Sequence, residues 1–151
     1  MSDNTITNGD FSAGLSGWIF FTQMRGEATA SVIEEAGGDH ILKVAVTNGG
    51  TRSYSVQLIQ EDIALVAGKK YKCVFTIWSN VEGQITARIG AYDDYDTIGF
   101  QEHVMVGTSG KSVEIEFMPQ ESTPFARFEL NLGNMERTFY IKHVKIYRLE
   151  K

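Results

Sequence analysis

The chain has 151 residues, 42% hydrophobic and 22% charged, with a formal net charge of −5. That size and balance suit one folded domain with its own core and exclude a disordered chain. The acidic balance, with Lys69-Lys70 the only adjacent basic pair, argues against a nucleic-acid or anionic-membrane surface, since both need clustered cations. No apolar run approaches the roughly 20 residues of a membrane helix, and the polar stretch Ser2–Asp10 gives no expectation of a signal peptide. Cys73 is the single cysteine, so no internal disulfide or thiolate cluster is expected. It lies in an apolar run and reads as an inert buried thiol.

Helix signals are nearly absent. Val, Ile, Thr, Tyr and Phe fall into short alternating runs. These predict strands near Gly17–Gln23, Glu27–Ile33, Ile41–Val46, Arg52–Gln60, Lys70–Ser79, Gln84–Ala91, Gln101–Val106, Ser112–Met118, Phe125–Leu132 and Phe139–Leu149. Gly37-Gly38-Asp39, Asn48-Gly49-Gly50, Ala67-Gly68-Lys69, Glu82-Gly83, Thr108-Ser109-Gly110 and Gly133-Asn134 supply the turns between them. Many short strands at this spacing mean a β-sandwich or jelly roll. No linker, repeat or low-complexity tract divides the chain. Residues 1–151 read as one module, with 1–4 flexible or foreign to it.

Several strands have two unlike faces, because strand side chains alternate with a period of two. In Arg52–Gln60, alternation groups Tyr54 with Val56 and Leu58 against Ser53, Ser55 and Gln57, unless a bulge changes the phase. In Gln84–Ala91, Ile85, Ala87 and Ile89 oppose Thr86, Arg88 and Gly90. In Ser112–Met118, Val113, Ile115 and Phe117 oppose Ser112, Glu114 and Glu116. The run Ala126–Gly133 is the most informative. Phe128, Leu130 and Leu132 form a core face, while Arg127, Glu129 and Asn131 form a hydrogen-bonding row with no apolar member. Such a row is either a salt-bridged solvated face or the floor of a site for a ligand covered in hydroxyls.

Few residues suggest catalysis. A glycoside hydrolase needs two carboxyls flanking the bond, roughly 5–5.5 Å apart for retention or 6.5–9.5 Å for inversion. Glu114 and Glu116 stand two apart on one strand, about 6.5–7 Å between Cα atoms. They lack a third acid and an aromatic platform, and read as a solvated edge. Gly107-Thr108-Ser109-Gly110 is a polar turn and not a strand-to-helix nucleophile elbow. His40, His103 and His143 lie in separate segments with no acid at a telling spacing, and read as surface or sheet-edge residues. Phosphate-loop, dinucleotide and paired-histidine zinc motifs do not occur. Asp93-Asp94-Tyr95-Asp96 gathers carboxylates but lacks the interleaved glycine and distal glutamate of a calcium loop. It reads as an acidic loop tip, and Tyr92 and Tyr95 are either loop packing or rings suited to a sugar face.

One set of blocks is more specific. Asn8-Gly9-Asp10-Phe11-Ser12-Ala13-Gly14-Leu15-Ser16-Gly17-Trp18 is close to the pattern N-G-D-F-E-x-G-x-x-G-W. Then come Leu42-Lys43-Val44-Ala45-Val46-Thr47-Asn48, Tyr54-Ser55-Val56-Gln57-Leu58-Ile59-Gln60 and Leu65-Val66-Ala67-Gly68-Lys69-Lys70-Tyr71. The strand through Phe75 and Trp78, the run Ala126–Gly133 and Phe139-Tyr140-Ile141-Lys142-His143-Val144 follow. In this order, over nearly the whole chain, the blocks resemble carbohydrate-binding modules of the family 4/9/16/22 type, family 4 most closely.

The resemblance implies a jelly roll of two antiparallel sheets. It also implies that single glycan chains bind in a groove across the concave sheet, without catalysis. Phe21, with Ile19 a weaker match, would line one side. Tyr54 would be a groove aromatic with Gln57 three residues on as a polar contact. Arg88 would be a polar groove residue, and Tyr92 or Tyr95 a loop aromatic. Arg127 and Asn131 would be polar groove contacts, with Glu129 between them as a hydroxyl acceptor. Trp18 and Trp78 would pack in the core.

Members often bind structural calcium through an acidic residue near the start and an aspartate in a closing I-D-x-V motif. Here those places hold Ser12 and Lys142. An ammonium repels a cation, so that site is expected to be missing or rebuilt. The expected ligand is a β-glucan or xylan, and the expected partner a covalently linked glycoside hydrolase. The expected state is an extracellular monomer without cofactor. A structural or adhesion sandwich binding a protein or peptide is the alternative, and a jelly-roll glycanase built on Glu114 and Glu116 a further one.

Overall fold

The computed structural model describes residues 4–92 and 96–149. Among them are ten strands and no α-helix. The strands are β1 (Ile19–Thr22), β2 (Gly26–Glu34), β3 (His40–Gly49), β4 (Val56–Leu65) and β5 (Tyr71–Ser79). They continue with β6 (Gly83–Gly90), β7 (Thr97–Val106), β8 (Lys111–Phe117), β9 (Thr123–Asn131) and β10 (Arg137–Arg148). They pair into two antiparallel five-stranded sheets, in the orders β1-β4-β9-β6-β7 and β2-β3-β10-β5-β8. This is the expected jelly-roll sandwich, and each predicted strand has its counterpart.

Alternation builds the core. On β5, Tyr71, Cys73, Phe75 and Ile77 are buried while Lys72, Val74, Thr76 and Trp78 face out. On β9, Ala126, Phe128 and Leu130 are fully buried, and Phe75 meets Phe128 across the two sheets at 6.4 Å. Burying each such side chain contributes about 1.5–3 kcal/mol, so these inner faces clamp the sheets together. Burial also pushes the Cys73 thiol well above its ordinary pKa, which leaves it inert as expected. Trp18 lies in this core as predicted, 5.4 Å from Phe11 and 6.3 Å from Phe128. Its indole N–H donates to the Asn8 carbonyl at 2.9 Å.

Trp78 corrects the reading. It belongs to the outward set of β5 and sits on the outer face of the second sheet. There it stacks on Tyr140, its cross-strand neighbour, at 5.4 Å, and Lys142 Nζ lies 5.8 Å from its ring. Asn4, expected at a flexible start, bridges Tyr147, and its side chain accepts from the Ile6 and Ile146 amides.

Two features fix one end of the sandwich. Arg137 is 3% exposed, lies over the Phe139 ring at 4.5 Å and donates to the Gln84 carbonyl at 2.6 Å. It thereby ties β10 in one sheet to β6 in the other, and burial lowers its pKa from the ordinary guanidinium value. The segment predicted as the start of a strand at Arg52 instead forms a 3₁₀ turn, Ser53–Ser55. The Ser55 amide donates to the Arg52 carbonyl at 2.9 Å, and the Ser55 hydroxyl accepts from the Arg52 amide at 3.1 Å. Gly50 enters the loop in the left-handed region with φ 71, where a side chain would be strained.

Candidate functional site

The outer face of the β1-β4-β9-β6-β7 sheet is concave, with a cavity of about 800 Å³ across all five strands. Strand registers arrange its residues in rows. One row runs Phe21, Gln57, Asn131, Thr86, His103. The next runs Ile19, Ile59, Glu129, Arg88, Gln101. Beyond it Arg127 lies opposite Gly90 and pairs with Glu61 at 3.6 Å. A Cβ at Gly90 would collide with the Arg88 guanidinium, so this glycine leaves the space that Arg88 occupies.

The rows grade from apolar to polar. At the β1 edge stand Ile19 (41% exposed), Phe21 (46%) and Tyr54 (39%). Tyr54 reaches this face through the 3₁₀ turn. The turn breaks the alternation before β4 begins at Val56, so Tyr54 lines the concavity with Gln57 and not with Val56 and Leu58, which are fully buried in the core. The simple alternation of this segment is thereby corrected, and the pairing of Tyr54 with Gln57 holds. The turn is gripped from both sides: the Ser55 carbonyl accepts from the Gln23 amide at 2.9 Å, and the Ser53 carbonyl from the Gly133 amide at 2.7 Å.

The floor is a network of ion pairs and hydrogen bonds centred on Glu129. Glu129 is 3% exposed. Its Oε2 lies 2.7 Å from Arg127 Nε and 3.3 Å from Arg88 Nη1. Its Oε1 accepts from Gln57 Nε2 at 3.4 Å, and the same amide donates to Asn131 Oδ1 at 3.0 Å. Gln57 Oε1 accepts from Gln23 Nε2 at 3.3 Å, and Gln23 Nε2 also donates to the Tyr54 carbonyl at 3.1 Å. A continuous relay therefore joins the two guanidiniums to the backbone of the rim tyrosine. Arg88 and Arg127 against Glu129 and Glu61 sum to zero formal charge.

The sequence-derived candidates Phe21, Tyr54, Gln57, Arg88, Arg127, Glu129 and Asn131 all line this concavity. Tyr92 is exposed and lies outside the lining, and Tyr95 lies outside the described residues. Gln23, Ile59, Thr86, Gln101 and His103 also line it and were not anticipated. His103 Nδ1 is 3.1 Å from the Thr86 hydroxyl, a pairing visible only once β6 and β7 are in register. Glu114 and Glu116 are on β8, at the edge of the other sheet, paired with Lys72 at 3.3 Å and Lys70 at 3.9 Å. They are remote from the concavity.

A family model described as "Carbohydrate binding domain", CBM_4_9, matches residues 3–137. The chain belongs to this family of carbohydrate-binding modules. No curated protein sequence matches it. Among solved structures, the module's fold is similar to one described as "CBM4 structure and function", with a TM-score of 0.84 and 17% identity over 95% of this chain and 99% of that one. It is also similar to the second N-terminal cellulose-binding domain of Cellulomonas fimi β-1,4-glucanase C. There the TM-score is 0.76 and the identity 15%, over 99% of this chain and 97% of that one. The CBM22-1 xylan-binding domain of Paenibacillus barcinonensis Xyn10C gives 0.66 and 14% over 99% and 97%.

At the two positions that the resemblance ties to calcium, Ser12 and Lys142 each engage a carboxylate. The Ser12 hydroxyl and amide bond Asp10 Oδ1 at 2.9 and 3.1 Å, and these bonds lower the Asp10 pKa. Lys142 places its ammonium 3.1 Å from Glu35 and 3.4 Å from Asp39, and His143 Nε2 is 3.3 Å from the same aspartate. The hydrogen bond to Glu35 raises the Lys142 pKa. That to His143, followed by that to Lys142, lowers the Asp39 pKa. A fixed positive charge thus already engages these carboxylates.

Proposed function

We propose that the module binds single chains of a neutral β-glucan or xylan in the concavity, without catalysis, and holds a linked glycoside hydrolase at its polysaccharide outside the cell as a monomer. The observation that carries this reading is the graded concave face. An apolar and aromatic rim stands beside a floor of planar polar groups whose charges cancel. Sugar rings have apolar faces for Tyr54 and Phe21, and hydroxyls for Arg127, Asn131, Gln57 and Arg88. Balanced charge suits a neutral ligand, and the structural similarity to cellulose- and xylan-binding domains points the same way.

Within this reading Glu129 holds the two arginines in place through Oε2, and Oε1, which takes one long bond from Gln57 at 3.4 Å, keeps acceptor capacity for a sugar hydroxyl. Hydroxyl contacts replace bonds to water and contribute only about 0.5–1.5 kcal/mol each. Affinity is therefore modest and spread over several sugars. Affinity electrophoresis through gels of mixed-linkage β-glucan, laminarin, hydroxyethylcellulose and xylan tests the proposal. Retardation in at least one gel without reducing-sugar release is expected. Free migration in all of them would sink it.

The same reading includes a fold that stands without calcium, because Lys142 supplies positive charge to Glu35 and Asp39 from within the chain. Excess EDTA is expected to leave both the melting curve and gel retardation unchanged. A drop in Tm that added calcium reverses would show a rebuilt cation site.

A further inference from the structure

The two edges of the concave sheet are unlike. The β1 edge is apolar and aromatic, whereas β7, the opposite edge strand, lends the concavity only Gln101 and His103. His103 is exposed and ends the row that begins at Phe21. Four strand spacings separate the ends of that row, roughly 19 Å. A chain that stacks on the β1 edge and follows the row meets its last polar groups at Thr86 and His103. Thr86 is 8% exposed, and its hydroxyl is 3.1 Å from His103 Nδ1.

That contact sets what the pair can offer a ligand. With Nδ1 bare, the Thr86 hydroxyl donates to it. Nε2–H is then the free donor, and the Thr86 oxygen keeps both lone pairs. With Nδ1 protonated instead, it donates to Thr86. The hydroxyl is then the free donor, while Nε2 and the second Thr86 lone pair accept. Either neutral tautomer thus presents one donor and two acceptor positions. The imidazolium donates from both nitrogens, which leaves two donors and one acceptor position. Covering it with a sugar also strips water from a charge, and Arg88 lies on the same face of β6, two residues from Thr86. We infer that Thr86 and His103 form the polar end of the glycan site, that they bind sugar hydroxyls with the imidazole neutral, and that affinity falls as His103 is protonated. The inference rests on the glycan-binding reading above and adds a pH-dependent contact on β7.

Imidazole is the side chain that ordinarily changes charge between about pH 5 and pH 8. The other ionisable groups around the concavity are Arg88, Arg127, Glu129 and Glu61. Lys111 of β8 reaches β7 at the Met105 carbonyl, and Glu102 alternates to the other side of β7. Calorimetry with β-1,4-linked gluco- and xylo-hexasaccharide at both ends of that pH range tests the pair on the native module, His103→Gln and Thr86→Val. Glutamine offers donors and an acceptor at every pH. Native affinity is expected to be about three- to tenfold weaker at the acid end, the worth of one hydrogen bond. His103→Gln is expected to hold one affinity at both, and Thr86→Val to bind weakly at both. Any effect of the carboxylates would appear in the native module and His103→Gln alike. A native affinity that does not fall with pH, an equal fall in His103→Gln, or native-like binding by Thr86→Val at the alkaline end would overturn the pair and leave the concavity as the binding site. Absence of native binding to either hexasaccharide at both pH values would overturn both readings.

Discussion

Glu129→Gln is expected to lower Tm by on the order of 10 °C and to remove most of the gel retardation. Glutamine keeps the shape of the side chain but takes away the carboxylate between Arg88 and Arg127, whose nitrogens lie 3.3 and 2.7 Å from Oε2. Removing one member of a buried ion pair costs about 3–5 kcal/mol, because the remaining charge stays buried. Arg127 keeps 19% of its side chain exposed and also meets Glu61, so the low end of that range applies. In a chain of this size each kcal/mol moves Tm by roughly 2–4 °C. Circular-dichroism melts read the stability. A double-mutant cycle with Arg127→Gln separates the pairing from the effect of either change alone. An unaltered Tm with additive losses would mean that the carboxylate is not the centre of the floor.

Tyr54→Ala is expected to weaken glycan binding by about 10–100-fold, the range of an aromatic hot spot, and to leave Tm within a degree or two. The separation follows from how the residue is held. Its ring is 39% exposed, and the contact that fixes the turn uses the backbone carbonyl, bonded to Gln23 Nε2 at 3.1 Å. Alanine keeps that carbonyl. Retardation in β-glucan or xylan gels gives the result directly. A variant retarded as strongly as the native module would place the sugar elsewhere on the sheet.

The fold was legible because each strand carries its own period. On β5, and on β8 from Ser112 onward, the buried and outward sets follow alternation without a break. Legibility failed where local geometry departs from the period. Ser53-Tyr54-Ser55 has the spacing of a strand, but the Ser55 hydroxyl bonds the Arg52 amide and closes a turn. On β4 both faces are apolar where Leu58 faces the core and Ile59 the concavity, so composition alone could not single out Ile59. Trp78 was misplaced because it ends an apolar strand, although alternation sets it opposite Phe75 and Ile77. Of the site, the row on β9 was readable from one strand. Thr86, Gln101 and His103 were not, since their meaning comes from sitting beside residues far away in sequence. The network that engages Glu129 is of the same kind: no single strand contains it.

The positions of the two indoles have a practical consequence. Trp18 is enclosed between Phe11 and Phe128, and Trp78 lies on the opposite sheet against Tyr140. Neither touches the concavity, so a sugar entering it leaves indole emission unchanged. A fluorescence-quenching titration, a common optical screen for lectin-like proteins, would record this module as a non-binder even at saturation. Tyr54→Trp would put an emitter on the rim and turn the same instrument into a reporter of occupancy.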